Sequence, residues 1–154
     1  MGNKKLLVYL DNCCYNRPFD NQEQRSVQLE TQAKLWIQDL IKDDKVALVV
    51  SFLSLFENNA NKDADKAENI SEFFENAAVY IDETYIDEVR TLRDEIMATG
   101  IKHKDAIHLA TAIIAKSDYF ISTDKRVLKY QSSRIKTINP IDFIRIWEGQ
   151  NDEK

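Results

Sequence analysis

The stretch 104–129, KDAIHLATAIIAKSDYFISTDKRVLK, holds an apolar helix, a buried strand and a short helical turn in succession. Ala106, Leu109, Ala110 and Ile113 share one side of the helix, which predicts that it packs against a sheet. The strand DYFIS follows, and Asp124 comes directly after its end. A helix that leads into a buried strand in this way is typical of α/β domains with a parallel sheet.

The rest of the chain repeats the alternation of helix and strand. Short apolar runs at 4–10, 45–50, 78–81 and 134–139 predict four more strands, and the segments between them have a helical period. This order predicts an α/β fold of three α/β/α layers, with a parallel sheet and right-handed crossovers. We assign residues 1–148 to a single domain and interpret 149–154 as a frayed C-terminal tail.

Several residues mark the expected ends of helices. Ser51 is a plausible N-cap for the helix after the second strand. The pair Thr84 and Asp87 loosely resembles a capping box at the start of a helix. Gly100 is expected to end that same helix. Pro140 is expected to start the closing helix.

The composition limits the class of protein. Of 154 residues, 44% are hydrophobic and 31% charged, so a packed core is expected. With only 3 Gly and 2 Pro, an all-β architecture is disfavoured. No apolar run is long enough to span a bilayer and no secretory signal is visible, so we expect a cytoplasmic protein without a membrane partner. Cys13 and Cys14 are adjacent, which excludes a disulfide framework and a zinc site and favours small hydrophobic residues under a loop.

Charge is unevenly distributed along the chain. The formal net charge is -5, yet residues 57–95 hold 12 acids and 4 bases, whereas residues 101–136 hold 3 acids and 8 bases. A local basic face of this kind can attract a polyanion despite the acidic average. Solvated helix faces are the alternative interpretation, and charge alone favours them.

Four acids are expected at one edge of the sheet. Asp11 follows the first strand, Asp124 follows the fourth, and Glu57 and Asp105 lie near the starts of helices. Functional residues of open parallel sheets gather at the carboxyl ends of the strands, so these four carboxylates should converge and repel one another. Hard divalent cations, Mg²⁺ or Mn²⁺, would relieve that repulsion and suit the hydrolysis of a phosphodiester bond.

Each acid also has a purely structural interpretation. Asp11 could form the turn after its strand, and Asp124 could cap the next helix. Glu57 and Asp105 could each favour a helix N-terminus. Taken one at a time, the structural interpretation is the stronger for every one of the four.

The motifs taken together resemble a PIN domain, the nuclease fold of the VapC-type toxins in bacterial and archaeal toxin–antitoxin pairs. The resemblance extends from Leu6 to Trp147. VYLDNCCYNRP (8–18) resembles the first motif, SFLSLFE (51–57) the second, and INPIDFI (138–144) the closing strand and helix. The most specific part is 104–129, which resembles the family's Asp-Ala-x-x-x-Ala-x-Ala helix followed by a strand and a Thr/Ser-x-Asp ending.

This resemblance implies a five-stranded parallel sheet and metal-dependent cleavage of RNA. It places the catalytic and metal-binding acids on Asp11, Glu57, Asp105 and Asp124, with one or two Mg²⁺ or Mn²⁺ ions, and the accompanying hydroxyl on Ser122. It also implies a small antitoxin partner and a homodimer. Many members have Ser or Thr where this chain has Asn12 and Cys13, although Asn12 can still hydrogen-bond a water or a backbone amide.

Supporting residues have two interpretations each. Arg17 could hold a substrate phosphate or form a surface salt bridge with Asp20. His108 could bind metal or act as a general base, but a hydrogen-bonded core histidine is the favoured interpretation. The three residues 102–104 could guide RNA or form a solvated helix start. We interpret five aromatic residues as mostly core: Tyr9, Phe52, Phe56, Phe120 and Trp147.

The predicted function is therefore a metal-dependent endoribonuclease, the toxin of a toxin–antitoxin pair. Two further classes stay open: a PIN-fold module that binds RNA or protein without cleavage, and a phosphotransfer or receiver-like domain with Asp11 as nucleophile. The common phosphatase pattern has a second aspartate two residues later, where this chain has Cys13. A stand-alone RNA-processing nuclease without an antitoxin is also compatible with the motifs.

Overall fold

A five-stranded parallel sheet forms the centre of the fold. The computed structural model of the chain describes residues 5–16 and 22–151. Its strands are β1 Leu7–Leu10, β2 Ala47–Ser51, β3 Val79–Ile81, β4 Tyr119–Ile121 and β5 Lys136–Ile138. They lie in the order β3-β2-β1-β4-β5, and every neighbouring pair is parallel. The predicted sheet is confirmed.

Eight α-helices connect and cover the strands in the described part of the chain. They are α1 Asn12–Asn16, α2 Arg25–Lys42, α3 Phe52–Asn59, α4 Ala64–Phe74, α5 Ile86–Met97, α6 His103–Ile114, α7 Lys125–Leu128 and α8 Pro140–Asn151. Helix α2 packs against α8, and α5 packs against α6. Within residues 5–16 and 22–151, no helix combines the length and the apolarity needed to cross a membrane.

Two hydrophobic cores lie on the two faces of the sheet. Val8 and Leu10 of β1 belong to one core, which includes residues of α2, α4 and α8. Tyr9, the residue between them, belongs to the other core with Leu109 of α6 and Phe120 of β4. Side chains of a strand alternate between faces, so a strand buried on both faces reads as a continuous apolar run. The result is the predicted α/β/α arrangement of three layers.

The strand order brings the ends of β1 and β4 together. The chain passes from β1 to β2 on one side, and β4 later returns to the other side of β1. A reversal of this kind opens a crevice at the carboxyl ends of the strands, where α/β proteins place their sites. Asp11 follows β1 and Ser122 follows β4, so both stand at this point.

The helix ends differ in part from the sequence expectations. Thr84 does not cap α5, because a short 3₁₀ turn at Glu83–Tyr85 precedes that helix; Asp82 caps this turn by accepting a hydrogen bond from the Thr84 amide at 3.0 Å. Gly100 has φ +105° in the turn between α5 and α6, a conformation that favours glycine. Helix α8 begins at Pro140, as predicted, and continues to Asn151. The short helix α1 has too few residues to show a periodic pattern and was not predicted.

Replacing Ser51 by alanine is expected to lower the free energy of unfolding by about 1 kcal/mol. The Ser51 hydroxyl caps α3 by accepting a hydrogen bond from the Ser54 amide at 3.3 Å, which confirms the predicted N-cap. It also lies 2.9 Å from the Tyr9 hydroxyl inside the protein. Urea unfolding of both proteins measures the difference, and Ser51→Thr, which keeps a hydroxyl, should recover most of the loss.

Candidate active site at the carboxyl edge of the sheet

Asp11 is the buried acid at the centre of the edge. Its amide donates to the Ile121 carbonyl at 2.9 Å, which extends the pairing of β1 with β4 to this residue. Its side chain is only 6% exposed. Oδ1 accepts from the Asn12 amide and Oδ2 from the Ser122 hydroxyl, each at 2.8 Å. Asp11 thus forms the turn into α1 and also presents a fixed carboxylate.

Ser122 links Asp11 to Asp124. Its fully buried hydroxyl donates to Asp11 and accepts from the Asp124 amide at 3.0 Å. Oδ1 of Asp124 caps α7 by accepting from the Arg126 amide at 2.9 Å, and the Arg126 guanidinium lies 3.5 Å from the same oxygen. Helix capping was one of two interpretations of Asp124, and its Oδ1 does cap α7. One hydroxyl therefore sets the positions of two acids.

Asp105 lies half-buried in the first turn of α6. Its side chain makes no hydrogen bond or ion pair within residues 5–16 and 22–151. Burial raises the pKa of Asp105, and the charges of Asp11 and Asp124 raise it further, against smaller opposing effects of His108 and Arg126. Asp105 of α6 therefore lies within electrostatic reach of Asp11, which follows β1, and of Asp124, which precedes α7.

Glu57 of α3 lies in an ion-pair network with α6. Its Oε2 is 2.8 Å from Lys104 Nζ, and its Oε1 accepts from Nε2 of His108. Burial on its own raises the pKa of Glu57, but the hydrogen bonds and charges of His108 and Lys104 outweigh burial and lower it. The nearest charges around this predicted acid are thus cations, in contrast to those around Asp105.

His108 connects this network to the core. It is 3% exposed, and its Nδ1 lies 2.6 Å from the Tyr9 hydroxyl. Burial lowers the pKa of His108, but Tyr9 and Glu57 more than offset this effect and raise it to about 10. At neutral pH the ring is therefore an imidazolium that donates to Tyr9 and to Glu57. These bonds are those of the favoured interpretation, a hydrogen-bonded core histidine.

The carboxylate oxygens are suitable ligands for a hard cation, but the side chains do not converge on a common point. Asp11, Asp105 and Asp124 offer only oxygen ligands. Burial first, and then the negative charges of Asp11 and Asp124, raise the pKa of Asp105, and a cation would offset those charges. In the described part of the chain, however, no three His, Cys, Asp or Glu side chains stand close enough to hold a metal ion. Binding would require side-chain movement at this edge.

Two predicted supporting residues differ in what the structure shows of them. The Asn12 backbone holds Asp11, and Asn12 also lines a cavity with Glu57 and Lys104. Arg17, like Asp20, lies outside the described residues. Sequence reasoning missed Lys104 as a partner of Glu57, although its spacing of four residues from His108 places both on one face of α6.

Two further interpretations from the sequence need correction. Cys14 is buried as expected, but the half-buried Cys13 is not merely apolar filling, because its sulfur lies 3.5 Å from Asp11 Oδ2 and from Ser122 Oγ. Phe56 was expected in the core, yet it is 71% exposed beside Glu57. Residues 52–59 form a helix over the edge of the sheet, so one of its aromatic residues faces solvent.

Comparison with known proteins identifies the fold. No family model and no curated protein matches the chain. Among solved structures, it is similar to a chain of VapBC2 from Rickettsia felis, crystallised with a DNA fragment from their promoter. The TM-score is 0.53 and the identity 15%, over 87% of this chain and 98% of that chain. This likeness confirms the predicted PIN-like fold.

Proposed function

We propose that the protein is a metal-dependent endoribonuclease that hydrolyses phosphodiester bonds. The observation that carries the proposal is the cluster of Asp11, Asp105 and Asp124, which three separate elements bring to one edge of the sheet. Asp11 is buried and the other two are partly buried. Acids with restricted access to water that repel one another are unfavourable for folding and are therefore typical of sites that bind cations. The PIN-like fold agrees with this assignment.

The three aspartates, with Glu57 as a fourth acid, would hold one or two Mg²⁺ or Mn²⁺ ions. When bound, such an ion lowers the pKa of water and offsets charge that develops on the phosphate and on the leaving oxygen. Glu57 would contribute from its network, in which His108 bonds Oε1 and the Lys104 ammonium forms an ion pair with Oε2. The reaction needs no covalent intermediate, since water attacks the phosphorus in line.

The residues around the acids have positioning roles in this proposal. Ser122 orients Asp11 and, through the amide of Asp124, the start of α7. His108, held by Tyr9, fixes Glu57 from the interior. The backbone amide of Asn12 donates a hydrogen bond to Oδ1 of Asp11. Hydrogen-bonded neighbours of this kind orient the carboxylates that act on the substrate.

Incubation of purified protein with labelled single-stranded RNA tests the proposal. Cleavage is expected with Mn²⁺ or Mg²⁺ and is expected to stop with EDTA, because the acids alone cannot offset charge on the phosphate. The double variant Asp11→Asn/Asp105→Asn is the matched control and should be inactive. Equal cleavage by the wild type and by this variant, or equal cleavage in EDTA, would refute the assignment.

We further propose that the protein is the toxin of a toxin–antitoxin pair. One structural neighbour is VapBC2 bound to DNA. This chain exposes apolar side chains on α2, Leu29 by 60% and Trp36 by 50%, which could contact a partner. Co-expression with the product of an adjacent short gene should give a stable complex that no longer cuts RNA. Light scattering should show a homodimer of the toxin alone.

A PIN-fold module that binds without cleavage is the second candidate. The observation that favours it is the open arrangement of the acids, with Glu57 already paired to Lys104 and His108. In that case Mn²⁺ would not bind measurably by calorimetry, and RNA would bind equally with and without the ion. Cation-dependent cleavage by the wild type alone would exclude this candidate.

A further inference from the structure

A cationic cavity adjoins the acids on the side of α7. Its volume is about 360 Å³, and the turn before α6 and the segment from α7 to Gln131 form its walls. Lys102, Arg126, Lys129 and Tyr130 line it, and Asp105 lies at its border with the acidic edge. The cavity therefore opens beside the proposed cleavage site and shares one of its acids.

The charge of this cavity is poorly balanced by the protein. The exposed ammonium groups of Lys102 and Lys129 have no acidic partner within residues 5–16 and 22–151. Arg126 reaches Asp124 at 3.5 Å but is 67% exposed, so most of its guanidinium faces solvent. Three cations line the cavity with one carboxylate, that of Asp105, and Asp124 offsets part of the charge of Arg126. The unpaired charges of Lys102 and Lys129 make this wall locally positive, although the chain as a whole is acidic.

The walls of the cavity are held in place. The Tyr130 amide donates to the Val127 carbonyl at 3.0 Å, and the Thr137 hydroxyl donates to the Tyr130 carbonyl at 3.2 Å. These bonds tie the segment after α7 to β5. On the other side, the positive φ of Gly100 turns the chain from α5 into Lys102. The cationic groups therefore extend from a fixed backbone rather than from a long free loop.

We propose that this cavity binds the RNA phosphate next to the one that is cut, with the Tyr130 ring beside the attached sugar or base. The inference rests on the proposed nuclease function. It assigns the RNA a path over the α7 side of the acids. Guanidinium and ammonium groups are the usual phosphate ligands, and the cavity volume suits about one nucleotide. The cavity on the other side, beside Phe56 and Leu53, is more apolar, and its cations Lys104 and His108 are already paired with Glu57.

The double variant Lys102→Gln/Lys129→Gln tests the assignment. Its affinity for fluorescein-labelled oligouridine of about 12 nucleotides is measured by fluorescence anisotropy in EDTA, so that no cleavage interferes. The dissociation constant should rise about tenfold, and the slope of log affinity against log salt should become shallower by about 1.4, since each lost single-strand contact removes about 0.7.

Lys42→Gln/Lys45→Gln is the matched control, because these exposed lysines lie before β2 at the opposite edge of the sheet and the net charge changes equally. The control should bind RNA as the wild type does. Unchanged affinity of Lys102→Gln/Lys129→Gln, or equal weakening in both double variants, would overturn the assignment of the cavity.

The two proposals fail in different ways. If the wild type cuts RNA with Mn²⁺ while Lys102→Gln/Lys129→Gln binds normally, only the cavity assignment is wrong. If the wild type neither binds nor cuts RNA, the nuclease function fails and the cavity assignment fails with it. Urea unfolding should show the same midpoint for the wild type and both double variants, since all four lysines are exposed.

Discussion

Replacing Asp105 by asparagine is expected to reduce the rate of RNA cleavage about 100-fold or more, since several kcal/mol of transition-state stabilisation depend on the acid cluster. The structure makes Asp105 the cleanest acid for this test. Its side chain has no hydrogen bond or ion pair in the described part of the chain, so the substitution removes charge without breaking a contact. Single-turnover cleavage with Mn²⁺ measures the loss.

The same variant should be at least as stable as the wild type. Burial, with the charges of Asp11 and Asp124, raises the pKa of Asp105 above its unfolded value. Ionisation of this carboxyl at neutral pH therefore opposes folding, and an uncharged amide removes that effect. Reduced activity together with unchanged or higher stability is characteristic of a functional acid.

The matched control for Asp105→Asn is Asp39→Asn on the exposed face of α2. It removes the same charge away from the edge and should leave cleavage unchanged. The nuclease assignment of Asp105 would be wrong if Asp105→Asn cut RNA as fast as Asp39→Asn. A large loss of stability in Asp105→Asn would instead show that its carboxylate has a structural role.

Replacing His108 by leucine is expected to lower the free energy of unfolding by about 3 kcal/mol. The substitution removes the buried partner of the Glu57 carboxylate, which itself has little access to water. Glu57 is 11% exposed and would retain only Lys104, whose side chain is 70% exposed. The Tyr9 hydroxyl would also lose its bond to Nδ1 of His108. Urea unfolding at neutral pH measures the change.

A double-mutant cycle separates the ion pair from simple packing. In the background of Glu57→Gln, the same His108→Leu substitution should be less destabilising, since no charge is left unpaired. Equal effects of His108→Leu in both backgrounds would show that the imidazole contributes by packing alone. His108→Gln, which keeps a donor but not the charge, should fall between leucine and the wild type.

The stability difference between the wild type and His108→Leu should also depend on pH. The pKa of His108 is about 10 in the folded protein against 6.5 for the free side chain. A raised pKa contributes stability that is present in full below 6.5 and is lost as the pH rises towards 10. The difference should therefore be largest near about pH 6 and should shrink in alkaline solution. A difference that grew with pH would contradict the charged imidazole.

Much of the fold follows from local patterns in the sequence. Buried strands with apolar residues on both faces read as continuous runs, and this pattern located all five strands of the sheet. Ser51 and Pro140 marked helix starts correctly because capping and the fixed φ of proline are local effects. Local patterns did not reveal α1, since five residues are too few to show a period.

The candidate site follows from the sequence only in outline. Asp11 and Asp124 could be placed at strand ends, and an α/β topology brings strand ends together. Residue types alone did not show that Ser122 contacts Asp11 and Cys13, since these contacts span more than 100 residues of chain. Phe56 was misplaced in the core for the same reason, as exposure depends on what covers a helix.

The sequence by itself therefore determined the layers and the strands, and it provided the four acids as candidates for the site. Only the tertiary structure decided which acids face one another and which meet cations. Asp105 lies near Asp11 and Asp124, whereas Glu57 is paired with Lys104 and His108. Hydrophobic periodicity is a property of neighbouring residues, but electrostatic energy depends on distances between side chains, and these exist only once the chain has folded.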